Sequence, residues 1–550
     1  MLLDLPPELI EHILIELPLP DLLNLTTVNP ELCEAIRHSH HLWYHHLRVR
    51  DLVIAADEGS PCSLDSFKLR YQWTKDLERY LDELSHHQIY NSIVEIDLED
   101  AFVLECYTDP ICRQITLRYL RNIVTSPNQY TRLTTKLYAR HFLVVLAQLE
   151  ILSDLKKYTS SSNKSLLLAS LLVSRWVGAC LFEPAIIHNS VNSQCIPVED
   201  TIEDIVGQCR AQLSPTSKIE EVLKVVSKVL YDDFGLKNNS ENYYDYENSR
   251  TDKVLYNRKG IPITMAIIYH EIGTKLGLTL SLINFPRHFL LSFVNSEGVT
   301  MYLDCYNRGE ILTRRQCLQL CPMSDIADND AYFQSVSGDA VLARLLRNTI
   351  TFSQMVPPPA YNNREFFILN LYKLMAYVFP SDFDSAIHAV SLSLDFGIKC
   401  NFLRRFKRIL SEKWDDYQSM INNIEVSVKR KMSTKPIKPP HVTFSIGAVM
   451  LHKRYNYTCV LNGWDEVCSM GPQWELQNGV SNLQFQGGQP FYRVLAGDGS
   501  DRYVAQENLF ETRSEFISHR DVGKYFIMYD GERFVPNSAL KSIYSHLKNE

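Results

Sequence analysis

This 550-residue sequence lacks any uninterrupted apolar run long enough to cross a bilayer. Its most apolar stretch, Leu166 to Phe182, is broken by Arg175 and carries serines, so it reads as a buried helix. No basic n-region stands at the start, where Asp4 and Glu8 are found instead, and no secretory leader is expected. Positive charge is not in excess. There are 56 Lys and Arg against 64 Asp and Glu, a net charge of −8, which argues against a generic nucleic-acid binder. The 13 cysteines are scattered with no Cys-x-x-Cys pair. That speaks against a disulfide framework or a zinc site and suits a reducing compartment, the cytoplasm or the nucleus. Neither a cofactor, a metal nor a membrane is expected.

What is present is the composition of a globular protein, 45% hydrophobic and 22% charged, with room for several domains. The first fifty residues are the most informative. Pro6, Pro7, Pro20 and Pro30 recur where helices would start, since proline suits a first turn whose N–H groups have no helical partner. Leu9, Ile10, Ile13, Leu14 and Leu17 follow at helical spacing. Short helices packed into so small a unit bury little core and need a partner. The plain alternative is an N-terminal helical cap whose leucines are simply core.

Further along, residues 51–214 read as helical, with amphipathic runs starting at Asp65 and spanning Leu133 to Leu155. Thr159 to Asn163 and Asn238 to Arg250 read as loops. Residues 215–425 combine one helix and short strands with a return to helices. Residues 426–442 are basic and proline-rich and read as a linker. Residues 443–550 are rich in β-type residues and turn signals, including Asn462-Gly463, and read as a small all-β domain.

In the central region, Asn257 to Met265 leads into a helix over Ala266–Leu276, and Gly277 suits its C′ position. A strand follows from Leu278 to Phe285, then Pro286-Arg287-His288-Phe289-Leu290, then a strand over Met301–Asp304. A helix start, a histidine on one strand and an aspartate ending the next is the layout of a Cys-His-Asp acyl-transfer site.

These motifs resemble known families. Leu5-Pro6, Ile13-Leu14, Leu17-Pro18-Leu19-Pro20-Asp21-Leu22 and Leu42-Trp43 resemble the F-box, whose helices dock on the Skp adaptor of a cullin scaffold. The resemblance implies adaptor contacts by Leu5, Pro6, Ile10, Ile13, Leu14, Leu17, Leu19, Pro20, Leu22 and Trp43. Asn257 to Thr264, Pro286 to Leu290 and Asp304-Cys305-Tyr306-Asn307 resemble the SirB-type branch of the transglutaminase-like superfamily, which carries a tetratricopeptide-like helical tail. In its catalytic members a cysteine opens the helix, about fifteen residues before the closing glycine. Here that position is Pro262, which has no thiol, while His288 and Asp304 match the other two. The site is therefore expected to be inactive. His288 is left to brace Asp304 or to line a retained groove, with true acyl transfer as the rival.

Gln489-Pro490-Phe491-Tyr492 and Tyr503 to Leu509 resemble the YccV/HspQ-like domain, a small barrel-like fold. Members of that family include hemimethylated-DNA binders and bacterial quality-control proteins. From His441 onward there are ten Lys and Arg against twelve Asp and Glu, so protein binding is expected and DNA is not. Trp464, Trp474, Phe491 and Tyr492 are either an exposed recognition surface or barrel core.

All three resemblances meet in one family, the F-box proteins with a SirB-type and a YccV-like domain. The expected architecture is multidomain. It has an all-α F-box and helical region, a central α+β transglutaminase-like fold with a helical tail, and a small all-β C-terminal domain. The implied function is recruitment of protein targets to a Skp–cullin–F-box ubiquitin ligase.

Overall fold

A computed structural model describes residues 5–54, 61–86, 96–127, 132–161, 165–183, 197–320, 330–355, 364–395, 438–512 and 515–548. Most of the expected basic linker and the helical tail beyond 395 lie outside the described residues. The chain divides into two compact units, Met1–Leu143 with Met432–Glu550, and Val144–Lys431. Among the described residues no helix is long and apolar enough to cross a membrane, and the cysteines are free thiols.

The first unit opens with helices Pro7–Ile15, Leu19–Leu25, Pro30–His38 and His40–Val49. The prolines act as expected: Pro7 and Pro30 take the first helical position and Pro20 the second. Asn29 caps the third helix, its Oδ1 accepting from Glu31 N at 2.8 Å and Leu32 N at 3.3 Å. Trp43 is fully buried, donates from Nε1 to Ile36 O at 2.5 Å, and packs on Phe67 of the next helix, Leu64–His86, with ring centroids 5.1 Å apart. The small N-terminal core is thus completed by the chain's own following helix.

In the same unit lies an antiparallel five-stranded sheet. Its order is Asp501–Ala505, Phe491–Ala496, Thr458–Asp465, Val449–His452, Leu509–Glu511, and the ribbon Phe526–Tyr529/Phe534–Pro536 lies beside it. Asn462-Gly463 is not the turn that the sequence suggests. The strand runs through it, with a register shift between Leu461 and Gly463, because its pairing with Phe491–Ala496 continues to Asp465. Gly447 joins sheet to ribbon. Its φ is +88°, Phe534 N donates to its carbonyl at 2.9 Å, and a Cβ there would meet Phe534 O at 2.1 Å. The ribbon seats on helix Leu133–Ser160, where Thr134 Oγ1 reaches Gly523 O at 2.9 Å and Phe526 O at 3.0 Å.

The second unit holds the buried apolar helix Leu166–Cys180, as its composition indicates. Helix Pro262–Lys275 starts four residues before the expected bound, with proline at its first position. It ends as expected. Gly277 has φ +84°, Gly277 N donates to Thr274 O at 3.0 Å and Leu278 N to Gly273 O at 2.9 Å, a Schellman closure. An antiparallel sheet of Ser281–Ile283, Leu290–Val294, Thr300–Asp304 and Glu310–Leu312 follows in that order. Helices Gly338–Met355, Arg364–Val378 and Phe383–Asp395 come after it.

Candidate functional site

Helix Pro262–Lys275 presents no nucleophile at its first position. Pro262 is buried, and Ile261 before it is extended. Thr264 is fully buried and committed to the backbone, its Oγ1 accepting from Ile261 N at 3.3 Å and donating to Asn248 O at 3.0 Å. It caps the helix and has no spare hydroxyl to offer.

His288 and Asp304 are brought together, with Nε2 and Oδ1 2.8 Å apart. His288 is not on a strand as the sequence suggests. It sits in the turn before Leu290–Val294, its N–H bonded to Phe285 O at 3.2 Å, and the preceding Arg287 has φ +55°. A turn frees the ring from the alternation of a strand and lets it lean onto the end of the neighbouring one. Asp304, nearly fully buried, ends Thr300–Asp304, and its Oδ1 also accepts from Tyr306 N at 3.0 Å and Asn307 N at 3.2 Å. Tyr306 meets the imidazole edge-on at 6.0 Å. Among the described residues, Nδ1 of His288 has no hydrogen-bond partner. The pair is an oriented imidazole with one nitrogen open.

The nearby thiols are poor nucleophiles. Cys305 is fully buried; desolvation first, and the Asp304 charge second, push its thiol well above the usual range. Burial raises Cys317 to about 12 and Cys209 to about 11.

At the N-terminus the ten expected adaptor contacts separate. Ile10, Leu14, Leu22 and Trp43 are buried in the unit's own core and present nothing to a partner. The cause is helical phase: Ile10 and Leu14 lie one turn apart on the inner face. Leu5, Pro6, Ile13 and Pro20 are exposed, while Leu17 and Leu19 are half-buried. Leu9 and Val28, at 52% and 72% exposure, stand outside the expected set, yet are more exposed than Leu5 (37%) or Ile13 (41%). Leu9 and Ile13, four residues apart, share one helix face, a second apolar stripe beside that of Ile10 and Leu14.

In the C-terminal domain, Trp464, Phe491 and Tyr492 are core, not an exposed recognition surface. Trp464 and Tyr492 belong to the main cluster around Val460, Leu461 and Val494; Phe491 sits with Val480 and Ala505. Trp474 is half-buried against that smaller cluster and meets Tyr503 edge-on at 5.6 Å. Asp501, His519 and Asp521 lie close enough to suggest a cation site, but His519 Nδ1 accepts from Asp521 N at 3.1 Å. That places the ring proton on Nε2, and no lone pair faces the carboxylates.

Comparison with known proteins agrees with the three-part reading. Residues 2–49 match an F-box-like family model, 197–347 a transglutaminase-like superfamily model, and 442–533 a model described as hemimethylated DNA-binding protein YccV like. F-box only protein 21 of Mus musculus is 31% identical over 452 residues, covering 75% of this chain and 71% of that protein. F-box only protein 21 of Homo sapiens is 31% identical over 453 residues, with the same shares. A UPF0162 protein of Vibrio cholerae is 38% identical over 87 residues, covering 16% of this chain and 32% of that protein. No solved structure matches.

Proposed function

The chain belongs to the F-box only protein 21 family, and from that premise we propose that it is the substrate-recognition subunit of a Skp–cullin–F-box ubiquitin ligase. The observation that carries the reading is the outer stripe of helix Pro7–Ile15. Leu9 and Ile13, with Leu5 just before the helix, stay in solvent although the inner stripe already closes the core. An apolar helix face left open in a small unit is a docking face. The chain itself performs no covalent step. It holds a protein target near a separately recruited conjugating enzyme, and the gain is one of proximity.

The central domain binds or braces and does not catalyse. Acyl transfer needs a thiolate facing the imidazole. Pro262 supplies none, and burial keeps Cys209, Cys305 and Cys317 protonated. The C-terminal domain binds protein, not DNA, in keeping with its near-balanced charge.

The test is reconstitution of the full chain with a Skp adaptor, a cullin and a conjugating enzyme. Retention of adaptor and cullin, with targets that accumulate when cullin activation is blocked, is expected. A chain that never retains an adaptor overturns the reading. The bonded His288–Asp304 pair favours a second reading, an acyl-transfer or peptidase enzyme localised by its F-box. A thiol-directed activity probe decides between them: stoichiometric labelling of one cysteine, lost in His288→Ala, would establish the enzyme.

A further inference from the structure

Helices Leu64–His86 and Ala101–Thr108 enclose a groove of about 430 Å³ that neither the F-box nor the central site uses. Its floor is aromatic. Phe102 stacks on Trp73 with centroids 5.2 Å apart and planes 18° apart, and on Tyr80 at 4.6 Å and 30°. The rings are fixed from behind. Trp73 Nε1 donates to Thr116 Oγ1 at 2.9 Å. Asp100 caps the second helix by accepting from Phe102 N at 2.9 Å and Val103 N at 3.2 Å, and its carboxylate also pairs with the Tyr80 hydroxyl.

The rim is acidic. Asp76, Glu83 and Glu105 line it, and among the described residues the guanidinium on it, Arg79, is committed to Asp76 at 2.6 Å. Among the described residues neither Glu83 nor Glu105 has a cationic partner. Leu69, 53% exposed, is an apolar ledge on the same groove.

We propose that this groove is a docking site for a basic segment of a partner protein, whose lysine or arginine side chains meet the acidic rim while an apolar neighbour packs on Leu69 and the aromatic floor. Charge selects the occupant. Two uncompensated carboxylates beside aromatic rings favour a cation and repel an acidic segment or a nucleic acid. Pre-fixed rings lower the ordering cost of binding. The proposal goes beyond the ligase reading and stands without it, because it concerns a surface that neither the adaptor-docking stripe nor the His288–Asp304 pair occupies.

The experiment uses the full chain and a fluorescein-labelled peptide of lysine and leucine at helical spacing, read by anisotropy at about 150 mM salt, where long-range attraction is screened. A twin peptide with glutamate for lysine is the control. The lysine peptide should bind and the glutamate peptide should not. Glu83→Lys combined with Glu105→Lys should weaken binding at least about tenfold. Leu69→Ser should weaken it by a smaller factor, since it removes apolar contact and no charge. Glu532→Lys, an equivalent charge change on an exposed turn of the C-terminal domain, should leave binding unaltered. Three results overturn the proposal: no binding of the lysine peptide, equal weakening by Glu532→Lys, or tighter binding when Lys429, Arg430 and Lys431 are replaced by alanine. The last would mean that the chain's own basic stretch is the occupant.

Discussion

Helix Pro7–Ile15 and strand Thr458–Asp465 are both apolar on two sides, and only the strand finds cover for both. From Cys459 to Asp465 every strand residue is buried, with Val449–His452 and Phe491–Ala496 as ladder neighbours and a shared core around Trp464 and Tyr492. In the helix, Ile10 and Leu14 are buried while Leu9 and Ile13 face solvent. A sheet of five strands with a ribbon beside it has enough surface to use its aromatic residues internally. A nine-residue helix in a fifty-residue unit does not. The same kind of residue is thus left in solvent in one region and structural in the other, and exposure tells the two apart where residue type cannot.

The sharpest way to break this contrast is to charge the outer stripe. Burying a leucine or isoleucine on a partner contributes about 1.5–3 kcal/mol, so Leu9→Glu with Ile13→Glu should lower adaptor affinity by on the order of a hundredfold or more. The thermal midpoint should hold, because neither side chain is in the core. Ile10→Ala or Leu14→Ala should do the reverse, costing about 2–5 kcal/mol of stability. Adaptor retention undiminished in the charged double variant would mean that the stripe is not the docking face.

On the other side of the contrast, Trp464→Ala should cost about 3–5 kcal/mol and unfold the C-terminal sheet before it touches any binding measurement. Urea titration followed by tryptophan fluorescence and circular dichroism reads this. A stable Trp464→Ala chain with lost target binding would make Trp464 a recognition residue after all. Gly447→Ala should cost about 1–3 kcal/mol, since it combines a left-handed φ with a carbonyl in the way of the new methyl group.

Much of this was legible. Pro7, Pro30 and Gly277 carry backbone preferences that act within one turn, and each sits where such preferences place it. His288 and Asp304 were identifiable by motif, and they are bonded. What was not legible depends on tertiary partners. Asn462-Gly463 has the local signature of a hairpin, but pairing that continues to Asp465 overrides it. Which of two apolar stripes on Pro7–Ile15 faces inward is decided by packing within the unit, not by spacing. The aromatic and acidic groove around Phe102 joins residues some thirty positions apart, on two helices whose periodicity alone shows no site.

The smallest effect concerns pH and sharpens the contrast at the base of the N-terminal unit. His46 is buried between Trp43 and Phe67, with ring centroids at 5.8 and 6.2 Å, and Arg50 Nη1 lies 3.3 Å from its Nδ1. Desolvation first, then the Arg50 and His45 charges, lower its pKa from 6.5 to about 4. The fold therefore favours the neutral ring. Between pH 6.5 and about 4 the unfolded chain holds the extra proton, and stability falls as pH falls. The loss should be about 1–2 kcal/mol across that window. Among the described residues His46 Nε2 has no hydrogen-bond partner, and Arg50 Nη1, which reaches Nδ1, also donates to the His46 carbonyl at 3.2 Å, so His46→Phe removes the titration and leaves that donor an acceptor. Denaturant midpoints at pH 7 and pH 5 should differ less in His46→Phe than in the unaltered chain. An equal difference in both would place the acid sensitivity elsewhere, with His141, half-buried on helix Leu133–Ser160 and lowered to about 3 by desolvation first, as the next group to replace.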